Sequence, residues 1–174
     1  MAAVDELKAK IRDVPDFPEP GIVFKDIMPL LADPKSFHEA VELLGEWAEP
    51  RRPDVILGAE ARGFILGAAL AYKLDCGFVA ARRPGKLPWK TVSASYALEY
   101  GENALELHAD AIRSGARVLV HDDVLATGGT AQAICDLAEQ LGGEIVGVAF
   151  VIELEFLEGR KQLEGREVHS LISY

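Results

Sequence analysis

The stretch VLVHDDVLATGGT, residues 118–130, decides the fold and carries the strongest functional signal in the chain. It begins with the aliphatic run Val118 to Val120, which predicts a buried parallel strand. Two adjacent acids follow, and a glycine-bearing turn then leads into Ala131 to Leu141, whose composition and spacing predict a helix. A strand, a polar loop and a helix in this order are typical of an α/β protein that binds its ligand at the carboxyl end of the strand.

The loop between this strand and this helix has the chemistry to hold a sugar phosphate. Residues 127–130, TGGT, would lie at the helix N-terminus, where backbone N–H groups lack intrahelical partners and the helix dipole favours an anion. Asp122 and Asp123 could accept hydrogen bonds from a pair of vicinal hydroxyls. A Walker A loop is excluded because its last glycine must precede a lysine, whereas Thr130 stands here, and the dinucleotide fingerprint needs a different glycine spacing. The alternative is that these acids and glycines only form a capped helix start and bind no ligand.

Positive charge is concentrated after another apolar run, Gly77 to Ala81. The basic cluster consists of Arg82, Arg83, Lys86 and Lys90. Prolines and glycines lie between these residues and exclude a helix interior or a central strand. Arg62 follows a third apolar run, Asp54 to Leu57. Because strand ends in an open α/β sheet line one crevice, these segments predict a shared anion site, with a solvated surface loop as the alternative for the basic cluster.

The order of the remaining segments predicts repeated β-α-β units. Asp33 and Pro34 are typical of a capped helix start, and helices at 62–74 and 129–141 alternate with strands at 54–57, 77–81, 118–120 and 144–152. We therefore predict an α/β fold with an open, mainly parallel twisted sheet flanked by helices. Residues 1–33 would form a small N-terminal hood. Residues 84–103 would form a flexible antiparallel flap that closes over substrate.

Composition limits the class of protein. The 174 residues are the size of one domain, and the net charge of −10 argues against a general surface for nucleic acid or anionic membranes. The charged N-terminus does not resemble a secretory signal, and the apolar stretch 64–72 is too short to span a bilayer. We therefore expect a cytoplasmic protein. Cys76 and Cys135 lack metal or redox spacing and are expected to be small buried side chains.

Four blocks in the same order are similar to the type I phosphoribosyltransferase family, and most of all to its adenine-specific members. They cover most of the chain between residues 16 and 154: FPEPGIVFKDI, GAEARGF, RRPGKLP with SASYALEYG, and VHDDVLATGGT. The resemblance implies that the chain joins adenine to phosphoribosyl diphosphate (PRPP), releasing pyrophosphate and forming AMP. The ribose C1 would become oxocarbenium-like as charge accumulates on the leaving pyrophosphate. It also implies a magnesium requirement and a homodimer.

The same resemblance implies a role for each matching residue. The 5-phosphate would bind to Ala126, Thr127, Gly128, Gly129 and Thr130, and the ribose hydroxyls to Asp122 and Asp123. Pyrophosphate would bind to Arg62, Arg82, Arg83 and Lys86, some of them reaching across the dimer interface. Adenine would bind to Val23, Phe24, Lys25 and Leu154. In the flap, Glu99 would exchange a proton with the purine and Tyr100 would place the closed flap. Mg²⁺ would be held mainly by substrate oxygens and water, so no residue is expected to be a direct metal ligand.

Several points stay open at this stage. Lys25 stands where some family members have arginine. Lysine keeps the positive charge but lacks the planar fork of the arginine contact. His121 stands where the family more often has an apolar residue, and we expect it to be packed rather than catalytic. An unusual peptide geometry near Glu60 and Ala61 is compatible with the resemblance. The competing functions are transfer to a different base and a non-catalytic regulator that senses PRPP.

Overall fold

The structure is a computed structural model that describes residues 2–98 and 101–174, with the side chains of 3–95 and 104–174. Its helices are α1 (Ala2–Lys8), α2 (Met28–Ala32), α3 (Pro34–Ala48), α4 (Gly63–Lys73) and α5 (Gly129–Gln140). Its strands are β1 (Arg12–Pro15), β2 (Val23–Asp26), β3 (Val55–Ala59), β4 (Gly77–Ala81), β5 (Thr91–Leu98), β6 (Gly101–His108), β7 (Arg117–Leu125), β8 (Glu144–Glu153) and β9 (Val168–Ser173). Short 3₁₀ turns lie at Glu49–Arg51, Glu155–Leu157 and Gly159–Leu163.

Five parallel strands form the central sheet in the order β4-β3-β7-β8-β9. The chain leaves β3 through α4 to β4 on one side, and later returns to place β7 on the other side of β3. The winding therefore changes direction between β3 and β7, which is where an open α/β sheet leaves a ligand crevice. The predicted α/β class with a parallel sheet is confirmed.

Helices and a hairpin cover the two faces of this sheet. Ile56 and Leu119 point into one apolar cluster with α3 and α4, while their neighbours Leu57 and Val120 point into another with α5 and the β5–β6 hairpin. Successive side chains on a strand alternate between faces, so an uninterrupted apolar run is what a sheet covered on both sides requires. In the described part of the chain, no helix has the length and apolarity needed to cross a membrane.

Local signals explain where α3 begins and where α5 ends. The Asp33 carboxylate accepts a hydrogen bond from the backbone N–H of Lys35 at 3.2 Å, and Pro34 occupies the first turn of α3. Beyond the end of α5, Gly142 adopts the left-handed conformation at φ +87°, which glycine tolerates without steric cost. The start of α3 agrees with the sequence expectation.

The structure also departs from the sequence expectation in several elements. Strand β7 extends to Leu125, so Asp122 and Asp123 lie within a strand rather than in the loop that was expected after Val120. The reason is that β8 continues to pair with β7 as far as the register of Leu125 with Glu153. Strand β9 and the β1–β2 hairpin were not predicted. The β5–β6 hairpin continues to His108, and its base is anchored in the core by buried side chains of β6.

Candidate active site

A cleft of about 530 Å³ opens at the carboxyl edge of the sheet, beside the switch between β3 and β7. Six parts of the chain contribute to it: β2 of the hood with the residue before it, the corner after β3, the loop after β4, β6 of the hairpin, the end of β7 with the following loop, and the residue after β8. Its walls are formed by Ile22, Val23, Phe24, Lys25, Glu60, Ala61, Arg62, Arg83, Ala104, Leu105, Asp122, Asp123, Val124, Ala126, Thr130 and Leu154.

Two carboxylates and an arginine form the polar floor of the cleft. Asp123 is 4% exposed and accepts a hydrogen bond from Arg62 Nε, while its own backbone N–H donates to Asp122 Oδ1 at 2.9 Å. Burial and the adjacent Asp123 charge raise the pKa of Asp122 well above its usual value. Burial alone would lower the pKa of Arg62, but its hydrogen bond to Asp123 and the nearby acid charges raise it. The floor therefore holds one fixed cation and an acid pair that strongly resists carrying two charges.

The loop after β7 forms a backbone cradle. Gly128 has φ +86° and precedes α5, which begins at Gly129. A smaller cavity of about 60 Å³ adjoins the main cleft at this loop, with Asp122, Ala126, Thr127, Gly128 and Thr130 among its lining residues. The glycines and the α5 N-terminus, where the helix dipole favours negative charge, make this cradle suited to an anion such as phosphate.

Apolar side chains form the opposite part of the cleft. Val23, Phe24 and Leu154 line it, and the Arg62 guanidinium carbon lies 5.3 Å from the Phe24 ring centroid. Lys25 also lines the cleft, but its Nζ is 2.6 Å from an Asp13 carboxylate oxygen and 4.0 Å from the Tyr174 ring centroid. Its ammonium group is thus engaged within the hood and with the C-terminal residue.

The basic residues that the sequence grouped together divide into two sets. Arg62 and Arg83 line the cleft. Arg82 Nε instead lies 3.3 Å from a Glu60 carboxylate oxygen and its Nη1 donates to the Lys86 carbonyl at 3.2 Å, while Lys86 itself is exposed. In this arrangement neither Arg82 nor Lys86 contributes to the cleft wall.

Glu60 was missed by sequence reasoning as a site residue. Its carboxylate accepts a hydrogen bond from the Arg83 backbone N–H at 2.8 Å, and this bond lowers the pKa of Glu60. It therefore joins the corner after β3 to the basic loop after β4. The available signal was its position two residues before Arg62 in GAEARGF. The Glu60–Ala61 peptide bond is cis.

Three further expectations concern the flap, His121 and a metal site. Glu99 and Tyr100 lie outside the described residues. His121 is fully buried on β7, and its Nδ1 lies 3.0 Å from the Ala149 carbonyl oxygen. Burial lowers the pKa of His121 to about 4, so it is a neutral packed side chain at pH 7, as expected from the sequence. Among residues 2–98 and 101–174, no group of three or more histidine, cysteine or acidic side chains could hold a metal ion.

Comparison with known proteins identifies the family of this chain. Residues 30–169 match the phosphoribosyl transferase domain family. The chain is 56% identical to the adenine phosphoribosyltransferase of Thermotoga maritima, a match that covers 97% of this chain and 98% of that protein. It is 57% identical to the adenine phosphoribosyltransferase of Geobacter metallireducens, with 98% and 100% covered.

Solved structures extend the similarity to three dimensions. Adenine phosphoribosyltransferase from Thermoanaerobacter pseudethanolicus superposes with a TM-score of 0.96 at 51% identity, covering 98% of this chain and 99% of that chain. The Saccharomyces cerevisiae enzyme, complexed with an imino-altritol bisphosphate and adenine, gives a TM-score of 0.94 at 38% identity, with 98% of each chain covered. The chain therefore belongs to the phosphoribosyltransferase family and, within it, to the adenine phosphoribosyltransferases.

Proposed function

We propose that this chain transfers the 5-phosphoribosyl group of PRPP to adenine, giving AMP and pyrophosphate in purine salvage. The observation that carries the proposal is that one cleft combines an anion cradle, an acid pair, two arginines and apolar walls. These four features match the four parts of the reacting pair: a phosphate, a ribose diol, a pyrophosphate and a purine. The full-length similarity to adenine phosphoribosyltransferases supports the same assignment.

PRPP fits the cleft in one orientation. Its 5-phosphate would be bound by the backbone of Ala126 to Thr130 at the α5 N-terminus, and its ribose hydroxyls by Asp122 and Asp123. The pyrophosphate would then face Arg62 and Arg83. As the C1–O bond breaks, negative charge grows on the departing pyrophosphate, and fixed guanidinium groups stabilise that charge more strongly in the transition state than in the ground state.

The base would enter between the apolar walls. Phe24 and Leu154 would stack against the two faces of the purine, and the backbone of Val23 would read its edge. Adenine presents an amine donor and an N1 acceptor, whereas a 6-oxopurine reverses both, so a buried carbonyl and N–H placed for adenine would be left unpaired by hypoxanthine. N9 of adenine then attacks C1 and loses its proton, for which Glu99 stays our candidate acceptor, with Tyr100 positioning the closed flap.

Mg²⁺ belongs to this proposal as the partner of pyrophosphate. The donor set fits such an ion, because Asp122 and Asp123 offer the hard oxygen atoms that magnesium prefers, yet Asp123 is engaged by Arg62. The chain would therefore supply at most a few outer contacts, and substrate oxygens with water would complete the coordination. Bound in this way, the ion would neutralise part of the charge that develops on pyrophosphate.

A homodimer is the proposed assembly. Helix α4 exposes an apolar stripe at helical spacing, with Ile65 at 40% and Tyr72 at 91% exposure and the exposed Ala68 between them. The stripe lies on the helix that precedes β4, an edge strand of the sheet. An apolar helix face beside an open edge strand suits association with a second copy of the chain. A cytoplasmic location completes the proposal, and the two free cysteines fit a reducing compartment.

The test is nucleotide formation by the purified protein with PRPP, Mg²⁺ and one base per reaction: adenine, hypoxanthine, guanine, xanthine or orotate. We expect AMP from adenine, and turnover of the other bases lower by a factor of about 10⁴ or more, because the wrong edge leaves buried polar groups unpaired. A product from a different base would keep the phosphate cradle and overturn the base pocket. PRPP binding without any product would instead favour a PRPP-sensing regulator.

A further inference from the structure

An ion pair that the proposed chemistry does not use joins Glu153, whose carboxylate is buried, to Arg160, whose side chain is half exposed. Glu153 is the last residue of β8 and is 4% exposed. Both of its carboxylate oxygens accept hydrogen bonds from Arg160, with Nε and Nη2 each at 2.6 Å. Arg160 Nη1 also donates to the Val168 carbonyl at 3.0 Å. The pair is therefore bidentate, and it closes the short loop 154–159 at both ends.

This loop is packed directly on the phosphate cradle. A Cβ atom on Gly159 would lie 2.2 Å from the Ala126 carbonyl oxygen, and one on Gly128 would lie 2.3 Å from the Gly159 carbonyl oxygen. No side chain other than hydrogen fits at either position without a shift of backbone. Gly159 is adjacent to Arg160 in sequence, so the ion pair fixes the residue that supports the cradle.

The other end of the same loop forms the purine wall. Leu154 follows Glu153 and lines the cleft, and its backbone N–H donates to the Leu125 carbonyl at 2.9 Å. Leu125 lies directly before the cradle residue Ala126. The loop therefore contacts the phosphate-binding and base-binding parts of the cleft at once.

We propose that Glu153 and Arg160 are positioning residues that set the phosphate cradle and the Leu154 wall in register with each other. Neither residue touches the reacting atoms, since neither lines the cleft. Their ion pair holds Gly159 against the cradle while it fixes the backbone that carries Leu154. The inference rests on the proposed function, because it assigns the cradle to PRPP and the wall to adenine.

The test compares Arg160→Met, Arg160→Lys and the double variant Glu153→Gln with Arg160→Met. Removing Arg160 alone leaves a buried carboxylate without its partner and lowers Tm. The double variant removes both charges, so Tm should return toward that of the wild type. We expect KM for PRPP to stay raised about tenfold or more in both Met variants, with kcat within about threefold, because substrate binding is lost uniformly. Arg160→Lys retains the charge without the planar fork, so its KM for PRPP should lie between those of the wild type and Arg160→Met.

Lys161→Met is the matched control. Lys161 lies next to Arg160 and pairs with Glu158 at 2.6 Å, but both side chains are largely exposed. This variant should keep the wild-type KM for PRPP. If the ion pair were merely structural, its loss would affect Tm but leave the KM for PRPP unchanged in the folded double variant. That result would overturn the positioning role.

The rise in Tm on adding PRPP supplies a second readout that does not depend on turnover. We expect saturating PRPP to stabilise the wild type and, at the same concentration, the double variant less. If the wild type makes no AMP but is stabilised by PRPP, the proposed function fails while this comparison still decides the positioning role. If the wild type is active and the double variant is stabilised equally, only the positioning role fails. A wild type that neither reacts with PRPP nor is stabilised by it overturns both.

Discussion

Asp122 and Asp123 have different surroundings although they are neighbours on one strand. Asp123 is engaged by Arg62, whereas burial and the Asp123 charge raise the pKa of Asp122. Both carboxyl groups carry oxygen atoms that can accept hydrogen bonds from hydroxyl groups. The pair can therefore meet the two hydroxyls of a ribose diol.

His121 gives a prediction about stability and pH. Its pKa is lowered from 6.5 to about 4 in the folded protein, so between these values the unfolded chain binds more protons than the folded one. The stability contributed by neutral His121 is therefore retained above pH 6.5 and is lost as pH falls toward 4. The contribution of this one group is at most about 3 kcal/mol.

The variant His121→Leu tests this prediction. His121 Nε2 is buried without a hydrogen-bond partner and Nδ1 lies 3.0 Å from the Ala149 carbonyl oxygen, so an apolar replacement should lower stability by an amount that does not depend on pH. Urea unfolding of wild type and variant between pH 7 and 4.5 should then show the variant losing less stability than the wild type. Parallel losses in the two proteins would contradict the assignment of a neutral buried histidine.

At the scale of elements, the sequence predicts best what is built from contiguous apolar runs. Strands β3, β4, β7 and β8 were recognisable because each is a short apolar run between turn signals. Strand β9 was missed because Val168–Ser173 mixes polar and apolar residues and is only partly buried. A half-buried edge strand carries a weaker pattern than a central one.

The candidate site shows the same division. The acid pair and the glycine cradle could be read from VHDDVLATGGT, since their geometry depends on one strand and the helix that follows it. The difference between Arg82 and Arg83 could not be read, because it arises from Glu60 at a different strand end. The contact of Gly159 with the cradle was hidden for the same reason: it joins segments distant in sequence.

The cradle gives a prediction at this scale. Gly128→Ala places a Cβ at φ +86° and 2.3 Å from the Gly159 carbonyl oxygen. The left-handed conformation costs about 1 kcal/mol, and overpacking adds about 1–3 kcal/mol. We expect reduced stability in urea unfolding and a PRPP affinity at least about tenfold weaker, measured by calorimetric titration.

Gly165→Ala is the control for this variant. Gly165 has a similar φ of +83°, but a Cβ there would meet nothing within 4 Å. It should show only the conformational cost and bind PRPP as the wild type does. Equal behaviour of the two variants would contradict the close packing of the loop on the cradle.

At the scale of the whole molecule, the winding of the sheet explains why distant residues meet. Because β4 and β7 lie on opposite sides of β3, their carboxyl ends and the corner after β3 share one edge. Strand β2 of the hood lines the cleft at this edge, and so does Leu154, which follows β8. Each substrate part thus meets residues from a different region of the chain.

The proposed homodimer gives a prediction at this scale. Tyr72→Glu introduces a charge at the most exposed position of the apolar stripe on α4 and should shift the protein from dimer toward monomer. Light scattering coupled to size exclusion measures the molar mass. Phe156→Glu is the control, because Phe156 is 72% exposed but lies outside the stripe and should leave the mass unchanged. A wild-type monomer, or a Tyr72→Glu dimer of unaltered stability, would contradict the proposed interface.

The most direct test of the central claim is the rate of AMP formation from PRPP and adenine with Mg²⁺, measured for the wild type and for the double variant Asp122→Asn with Asp123→Asn. The claim is that the cleft between β3 and β7 is where the phosphoribosyl group is transferred. We predict AMP from the wild type and a rate lower by a factor of at least about 100 in the folded double variant, because both carboxylates that would orient the ribose are lost. No AMP from the wild type, or an equal rate from the double variant, would contradict it.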